Sequence, residues 1–270
     1  MFSKLLALPF VLLLSYFGYM VWQGDESYLI YTIPLFLILV GIYVLAPQIN
    51  WWWYERNPPD VDTPVRMMLE RLNPFYKGLS EKDQQKFRQR MEMFVKGVNF
   101  MPKGWDKMPE DVKYAVAANA VQLNFNKKEL LFPKYENVVV YPQAFPSPQY
   151  PESFHPSEVY KEDGVVLFSA EHLLASLMEP NKYYNVAMYE YVKVYMDAYP
   201  NKPLPRFTEE DWPALSKVSP FSETLIKKTL NVPDIDPSVV AASLYQTFPA
   251  KFKKIFPDKA KQLDAVFGVA

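Results

Sequence analysis

The stretch Asn185-Val-Ala-Met-Tyr-Glu-Tyr-Val-Lys-Val-Tyr-Met196 is the most informative segment of this 270-residue chain. Its apolar residues recur at helical spacing, which predicts a helix from about Asn185 to Ala198. Tyr184, Tyr191 and Tyr195 lie seven and four residues apart, so they share one face of that helix. We expect most of this face to lie in the core, and an exposed tyrosine stripe would instead indicate a docking surface.

The segments around this helix predict more helices than strands. Val138–Tyr141 and Val165–Phe168 are β-branched, apolar runs of strand length. Ser169 is placed to cap a helix at 170–178. Further helices are predicted at about 64–72, 80–97, 109–121, 237–248, 249–256 and 258–267. Because the strands do not alternate regularly with the helices, the pattern favours an α+β fold, mainly helical with a small sheet.

Two uncharged apolar stretches, Leu5–Trp22 and Tyr28–Ala46, precede this domain. A helix needs about 20 residues to cross the hydrocarbon layer, and the short bend at 23–27 forces the two stretches into an antiparallel hairpin. A cleaved signal peptide is the alternative for the first stretch, but no small-residue cleavage site follows Lys4 and its apolar run. Aromatic residues that favour the membrane interface follow the second stretch: Trp51, Trp52, Trp53 and Tyr54.

The chain is therefore predicted to have three parts: a transmembrane hairpin at 1–56, a proline-rich linker at 57–64 and a soluble domain at 65–270. The bend carries Asp25 and Glu26 but no Lys or Arg, whereas Lys4 and Arg56 flank the two spans. Since positive residues remain on the cytoplasmic side, we expect both termini in the cytoplasm. The predicted location is the inner membrane, as a multi-pass protein in contact with the lipid bilayer.

Composition excludes several classes of protein. The 29 Lys and Arg residues nearly balance the 30 Asp and Glu residues, which argues against a nucleic-acid partner. Cysteine is absent and only two histidines occur, so the usual ligands of zinc and copper are scarce. No glycine-rich phosphate-binding motif occurs among the eight glycines. We therefore expect no cofactor and no bound metal.

Four motifs together resemble one family, the Mlc titration factor A (MtfA) family of zinc-dependent peptidases. The family's D-P-x-x-x-x-N-V-V-x-H-E-F-A-H helix resembles the run from Glu179-Pro180 through Asn185-Val-Ala-Met-Tyr-Glu-Tyr-Val-Lys193. Three further motifs of the family resemble residues 139–145, 164–169 and 239–249 of this chain. The resemblance covers roughly Asn73 to Phe267. It implies a zincin-like domain, that is, the α+β fold of metallopeptidases with an H-E-x-x-H helix.

The departures from that family pattern fall on the metal site. Tyr189 and Lys193 stand where the resemblance implies the two zinc-binding histidines, and Glu190 stands where it implies the general base. The third ligand, a glutamate in the family, corresponds to Leu244, or to Ser243 if a one-residue gap is placed elsewhere. A lysine cation has no lone pair for zinc, and a base without its metal has no water to activate. We therefore interpret Glu190 as vestigial and the three ligand positions as metal-free.

Neither histidine is expected to restore a metal site. His155 lies in a proline-rich loop, and His172 lies in the first turn after Ser169, where capping or solvent exposure is typical. Two interpretations of the former site remain open. Tyr189 and Lys193 either fill the old cavity as packing and a paired cation, or line a cleft that binds a peptide tail or another subunit without cleaving it.

The sequence favours a membrane-anchored pseudo-peptidase that acts as a protein-binding or scaffolding subunit of a membrane complex. One alternative is an active membrane-tethered peptidase with an unorthodox site. Another is a regulator that sequesters a soluble factor at the membrane, which rests on family analogy alone. The protein partner is unknown in each case.

Overall fold

A computed structural model describes residues 2–146, 149 and 151–268 of the chain. The described residues divide into two compact units, one ending at Pro59 and the other beginning at Asp60. The second unit begins inside the segment 57–64 that the sequence assigns to a linker. Asp60 belongs to this unit because its carboxylate is held by Arg88 at 2.8 and 2.9 Å.

The first unit contains three helices, α1 (Phe2–Trp22), α2 (Leu29–Val44) and α3 (Ala46–Arg56). A short 3₁₀ turn precedes α2, where the Asp25 carboxylate accepts a hydrogen bond from the Ser27 N–H at 3.2 Å. The segments Phe2–Trp22 and Glu26–Val44 are long and apolar enough to cross a membrane. This finding rests on length and composition, and it supports membrane association only in general terms.

The aromatic run 51–54, which follows the second apolar stretch in the sequence, lies on a separate helix, α3. The predicted stretch ended at Ala46, whereas α2 ends at Val44 and the chain bends at Leu45. The start of α1 contacts α3: the Phe2 and Trp53 rings stack at 4.2 Å, and the Ser3 N–H donates to Asn50 Oδ1 at 2.9 Å. The aromatic side chains therefore take part in packing within this unit.

The second unit is mainly helical. Its helices are α4 (Thr63–Leu72), α5 (Pro74–Lys77), α6 (Glu81–Gly97), α7 (Glu110–Asn124), α8 (Ala170–Met178), α9 (Val186–Ala198), α10 (Trp212–Val218), α11 (Glu223–Leu230), α12 (Pro237–Thr247), α13 (Pro249–Ile255) and α14 (Pro257–Phe267). Side-chain caps fix several starts, as when Ser80 Oγ accepts from Asp83 N and Asn185 Oδ1 accepts from Met188 N. Most helices that the sequence predicts are present within two or three residues, whereas α5, α10 and α11 were not predicted.

Among the residues that the structure describes, six strands form two sheets: β1 (Asn99–Pro102), β2 (Asn137–Tyr141), β3 (Phe145–Pro146), β4 (Phe154–His155), β5 (Ser157–Tyr160) and β6 (Val165–Ser169). The larger sheet has the order β1-β2-β6-β5, with β5 antiparallel to β6 and the other pairs parallel. Only β2 and β6 were predicted. The β1 and β5 strands have four residues each and carry Pro102 and Glu158, which weaken the β pattern.

The core of this unit forms around α7 and α9, which pack against each other and against α6 and α12. The alanines of α7 at 115, 117, 118 and 120 are fully or almost fully buried, and their small side chains permit close helix contact. Tyr184, Tyr191 and Tyr195 are all at most 3% exposed, which confirms that this tyrosine face lies in the core. The α+β, mainly helical fold with a small sheet is likewise confirmed.

Candidate functional site

The predicted site residues lie on α9, next to the edge strand β5. Asn185 begins the helix as its cap, which places Glu190 in the second turn, 2% exposed. The inward-facing Ser157 of β5 donates a hydrogen bond from its Oγ to Glu190 Oε1 at 3.0 Å. A buried carboxylate is thus held between a helix and the last strand of the sheet.

The second oxygen of this carboxylate is bound by Lys193. Lys193 Nζ lies 2.7 Å from Glu190 Oε2, and the lysine side chain keeps 30% of its surface exposed. A surface pair at this helical spacing stabilises by only ~0.2–0.5 kcal/mol. That figure does not apply here, because Glu190 is buried and would be a costly unpaired charge without its lysine. Both carboxylate oxygens therefore have partners.

Tyr189 completes this cluster as a buried aromatic side chain. It is 6% exposed, and Lys193 Nζ lies 5.4 Å from the centroid of its ring, within range of a cation–π contact. Burial, and then the neighbouring Glu190 carboxylate, raise the pKa of the Tyr189 phenol well above its usual value. The phenol therefore stays neutral at physiological pH.

Helix α12 contributes a second polar contact beside this cluster. Tyr184 Oη and Ser243 Oγ lie 2.7 Å apart, and the rings of Tyr184 and Tyr189 have centroids 6.1 Å apart. Ser243, the alternative position for the third ligand, is therefore engaged with Tyr184. Leu244, the first choice for that position, is 1% exposed and offers no donor atom to a metal.

The sequence missed the role of Ser157. Ser157 was not among the predicted site residues, yet it lies 33 residues before Glu190 in the chain and makes a direct hydrogen bond to it. Sequence spacing does not connect a strand residue to a helix residue at that separation. The contact follows from the antiparallel pairing of β5 with β6, which sets Ser157 opposite Phe168 on the face that meets α9.

The two histidines make other contacts. The Nδ1 atom of His155 lies 3.1 Å from the Leu230 carbonyl oxygen, and the His172 Nδ1 atom lies 3.1 Å from Ser169 Oγ. Within the described ranges of the chain, no group of three or more His, Cys, Asp or Glu side chains is arranged to hold a metal ion.

These residues do not fit a catalytic zinc ion. Zinc requires neutral imidazole, thiolate or carboxylate donors, usually three from the protein in a hydrolytic site. The three positions that the family resemblance assigns to ligands instead hold a neutral phenol, an ammonium group and an aliphatic side chain. Glu190 itself is already bound by Ser157 and Lys193.

The mainly helical domain with its small mixed sheet belongs to the zincin-like peptidase class, as its family match shows. The family model of the glucose-regulated metallo-peptidases M90 matches residues 49–195, more than half of the chain. The chain belongs to this family, which confirms the MtfA-like resemblance of its motifs. The matched range includes Tyr189, Glu190 and Lys193 but ends before α12.

Neither a curated protein nor a solved structure matches the chain significantly.

Proposed function

We propose that this chain is a membrane-anchored pseudo-peptidase, which uses an M90 peptidase fold to bind a protein partner and does not hydrolyse peptides with zinc. One observation carries the proposal: the Glu190 carboxylate is bound on both oxygens, by Ser157 Oγ at 3.0 Å and Lys193 Nζ at 2.7 Å. A general base must reach the water that it deprotonates. In this chain Lys193 Nζ occupies one of the two Glu190 carboxylate oxygens, and Ser157 Oγ occupies the other.

The burial of Glu190 supports the same conclusion energetically. The Glu190 side chain is 3% exposed, so Lys193 stabilises the carboxylate charge that water would otherwise stabilise. Breaking a buried pair from one side typically costs about 3–5 kcal/mol, which would be added to the barrier of any reaction that freed Glu190. Lys193 is partly exposed, so the cost here is toward or below the lower end of that range. The pair therefore acts as a structural element.

The membrane part of the proposal is supported by the two apolar helices near the N-terminus. The turn between them carries Asp25 and Glu26, whereas the basic residues Lys4 and Arg56 lie in the first turn of α1 and the last turn of α3. We infer a multi-pass protein of the inner membrane with both termini in the cytoplasm. A binding domain held there suits an accessory subunit of an integral-membrane complex.

Metal content and peptidase activity of the purified full chain test the loss of zinc chemistry. We expect less than stoichiometric zinc after equilibration with zinc salts and no cleavage of short peptides or aminoacyl substrates. Stoichiometric zinc that disappears in Tyr189→Ala or Glu190→Ala would overturn the pseudo-peptidase proposal. Cleavage that depends on Glu190 would establish the alternative of a membrane-tethered peptidase.

Native purification from membranes tests the partner, with a tag at Ala270 and mass spectrometry of the proteins that co-purify. We expect integral-membrane proteins in fixed stoichiometry. A soluble transcription factor in their place would support sequestration at the membrane, and a chain that purifies alone would contradict the accessory-subunit role.

A further inference from the structure

A cavity of about 350 Å³ lies in the second unit, where the ends of several helices meet. Its lining comes from the C-terminal end of α4, the start of α5, α7, α8, the first turn of α9 and the junction of α12 with α13. This volume falls at the lower end of the range for small-ligand sites, about 300–1,000 Å³. The cavity is separate from the Glu190–Lys193 pair, since neither residue lines it.

The chemistry of the lining is unusual for a surface concavity. Six carboxamide side chains line it, Asn73, Asn119, Gln122, Asn181, Asn185 and Gln246, and no Asp, Glu, Lys, Arg or His is among its described lining residues. Charged residues make up 22% of the whole sequence. A charged ligand would lose its hydration here without gaining a counter-charge, so the lining selects an uncharged one.

Hydrogen bonds hold part of this lining in place. Asn185 Nδ2 donates to Asn119 Oδ1 at 2.9 Å, and Asn119 Nδ2 donates to the Ala115 carbonyl at 2.9 Å. Across the cavity, Gln122 Nε2 donates to the Gln246 carbonyl at 2.8 Å. These contacts fix the amide groups before any ligand arrives, which lowers the entropy cost of binding.

The remaining hydrogen-bonding capacity leaves both donors and acceptors for a ligand. Gln246 Nε2 donates no hydrogen bond among the described residues, and Asn181 makes none through its side chain. Asn73 Oδ1 accepts from Tyr76 N, which leaves its amide N–H groups for a ligand. Each carboxamide has two N–H donors and an oxygen with two lone pairs, so the lining offers free groups of both kinds. A peptide backbone, with one N–H donor and one C=O acceptor per residue, matches both kinds.

An apolar groove of about 300 Å³ adjoins the cavity and shares Leu72 and Leu177 with it. Met68, Leu174 and Met178 continue its lining, and Met178 is 59% exposed. Glu110 and Asp111 also line the groove, but Glu110 is paired with Lys113 and Asp111 Oδ1 accepts a hydrogen bond from the Val112 N–H. Methionine is common on surfaces that accept varied apolar side chains. A row of amides beside an apolar groove fits a peptide backbone that carries an apolar side chain. A sugar has no apolar side chain that could enter the groove.

We propose that the carboxamide cavity and the adjoining apolar groove form a binding site for an uncharged, extended peptide segment of a partner protein. The backbone carbonyls meet the amides of Asn181 and Gln246, and an apolar side chain enters the groove beside Leu177. This site gives the proposed binding function a location and a ligand class. It does not depend on the state of Glu190.

The test is a titration of the full chain in detergent micelles with N-acetylated, C-amidated tri- and tetrapeptides, followed by ligand-observed NMR against empty micelles. We expect saturable binding of peptides with uncharged polar residues and one Leu, Ile or Phe. Asn181→Asp and Gln246→Leu should each weaken binding about tenfold. The matched controls Asn201→Asp and Gln85→Leu change exposed residues outside the cavity and should leave affinity unchanged.

Three results would overturn this site: no saturable binding, equal binding of analogues with a central Asp or Lys, or binding unaffected by both cavity variants. Disaccharides that compete for the site would overturn the assignment to peptides. Mass spectrometry of the recovered peptides separates this test from that of the proposed function. Intact bound peptides leave the pseudo-peptidase proposal standing, whereas cleaved ones contradict it without removing the site.

Discussion

Lys193 Nζ lies 2.7 Å from Glu190 Oε2, one helical turn along α9, and the glutamate side chain is only 3% exposed. The Oε1 atom of the same carboxylate accepts a hydrogen bond from Ser157 on the edge strand β5. This buried carboxylate is thus bound by one cation and one hydroxyl.

Lys193→Met should destabilise the chain because it leaves the buried Glu190 charge without a counter-charge. We expect the free energy of unfolding to fall by about 2 kcal/mol, a value reduced from the typical 3–5 kcal/mol because Lys193 is partly exposed. The double variant Glu190→Gln/Lys193→Met should recover most of the loss. Chemical denaturation followed by tyrosine and tryptophan fluorescence measures both.

The matched control is Lys182→Met, which removes an exposed lysine that pairs with Glu179 at 3.4 Å. Both partners of that pair are more than half exposed, so the free energy of unfolding should be nearly unchanged. Equal losses of stability in the Lys193 and Lys182 variants would show that Lys193 does not stabilise the buried charge of Glu190.

Stability at low pH should depend on Asp60. Burial alone raises the pKa of Asp60, but hydrogen bonds from Arg88 and the Val61 N–H outweigh it and bring the pKa below its ordinary value. A carboxylate with a lowered folded-state pKa adds stability above its unfolded pKa of about 3.9, and that stability is lost as the pH falls through the folded value.

Asp60→Asn should therefore reduce stability at pH 7 and flatten the acid-induced loss below about pH 4. Unfolding curves between pH 7 and pH 3 measure this difference, with Asp258→Asn as a control for the loss of one exposed carboxylate. An unchanged pH profile in Asp60→Asn would show that the Asp60–Arg88 contact does not stabilise the protein.

Replacing Glu158 should stabilise the protein. Glu158 lies on β5 opposite Leu167 and is 5% exposed, and neither of its carboxylate oxygens has a hydrogen-bond partner among the described residues. Because an unpartnered buried carboxylate is unfavourable, Glu158→Leu should raise the free energy of unfolding by about 1–3 kcal/mol. Glu136→Leu, at an exposed position, should change it by less than about 0.5 kcal/mol. A loss of stability in Glu158→Leu would indicate a required charge at this place.

Restoring the family ligands should restore zinc binding. The triple variant Tyr189→His/Lys193→His/Leu244→Glu places two imidazoles at i and i+4 beside Glu190 and adds a carboxylate on α12. We expect about one zinc ion per chain in this variant by elemental analysis, with circular dichroism to confirm the fold. A parallel variant with Ser243→Glu in place of Leu244→Glu decides which α12 position faces the metal. Failure of both would show that α9 is wrongly matched to the family's metal helix.

Local sequence patterns were enough to predict several of the elements. Helical spacing and caps predicted α9 from Asn185 and α6 from Ser80, and the β-branched runs predicted β2 and β6. Residue identity also shows that no H-E-x-x-H motif occurs in the chain. These features depend on neighbours within a few residues, so a single chain is enough to reveal them.

The way those residues are used depends on the packing of the folded chain. Ser157 reaches Glu190 because strand pairing brings β5 beside α9. The short strands β1 and β5 form because the sheet supplies hydrogen bonds that their own sequences do not favour. The carboxamide cavity collects residues from seven helices and the segments between them. Burial and long-range contact are properties of the packed chain, and they convert Glu190 and Lys193 from an ordinary helix pair into a buried ion pair.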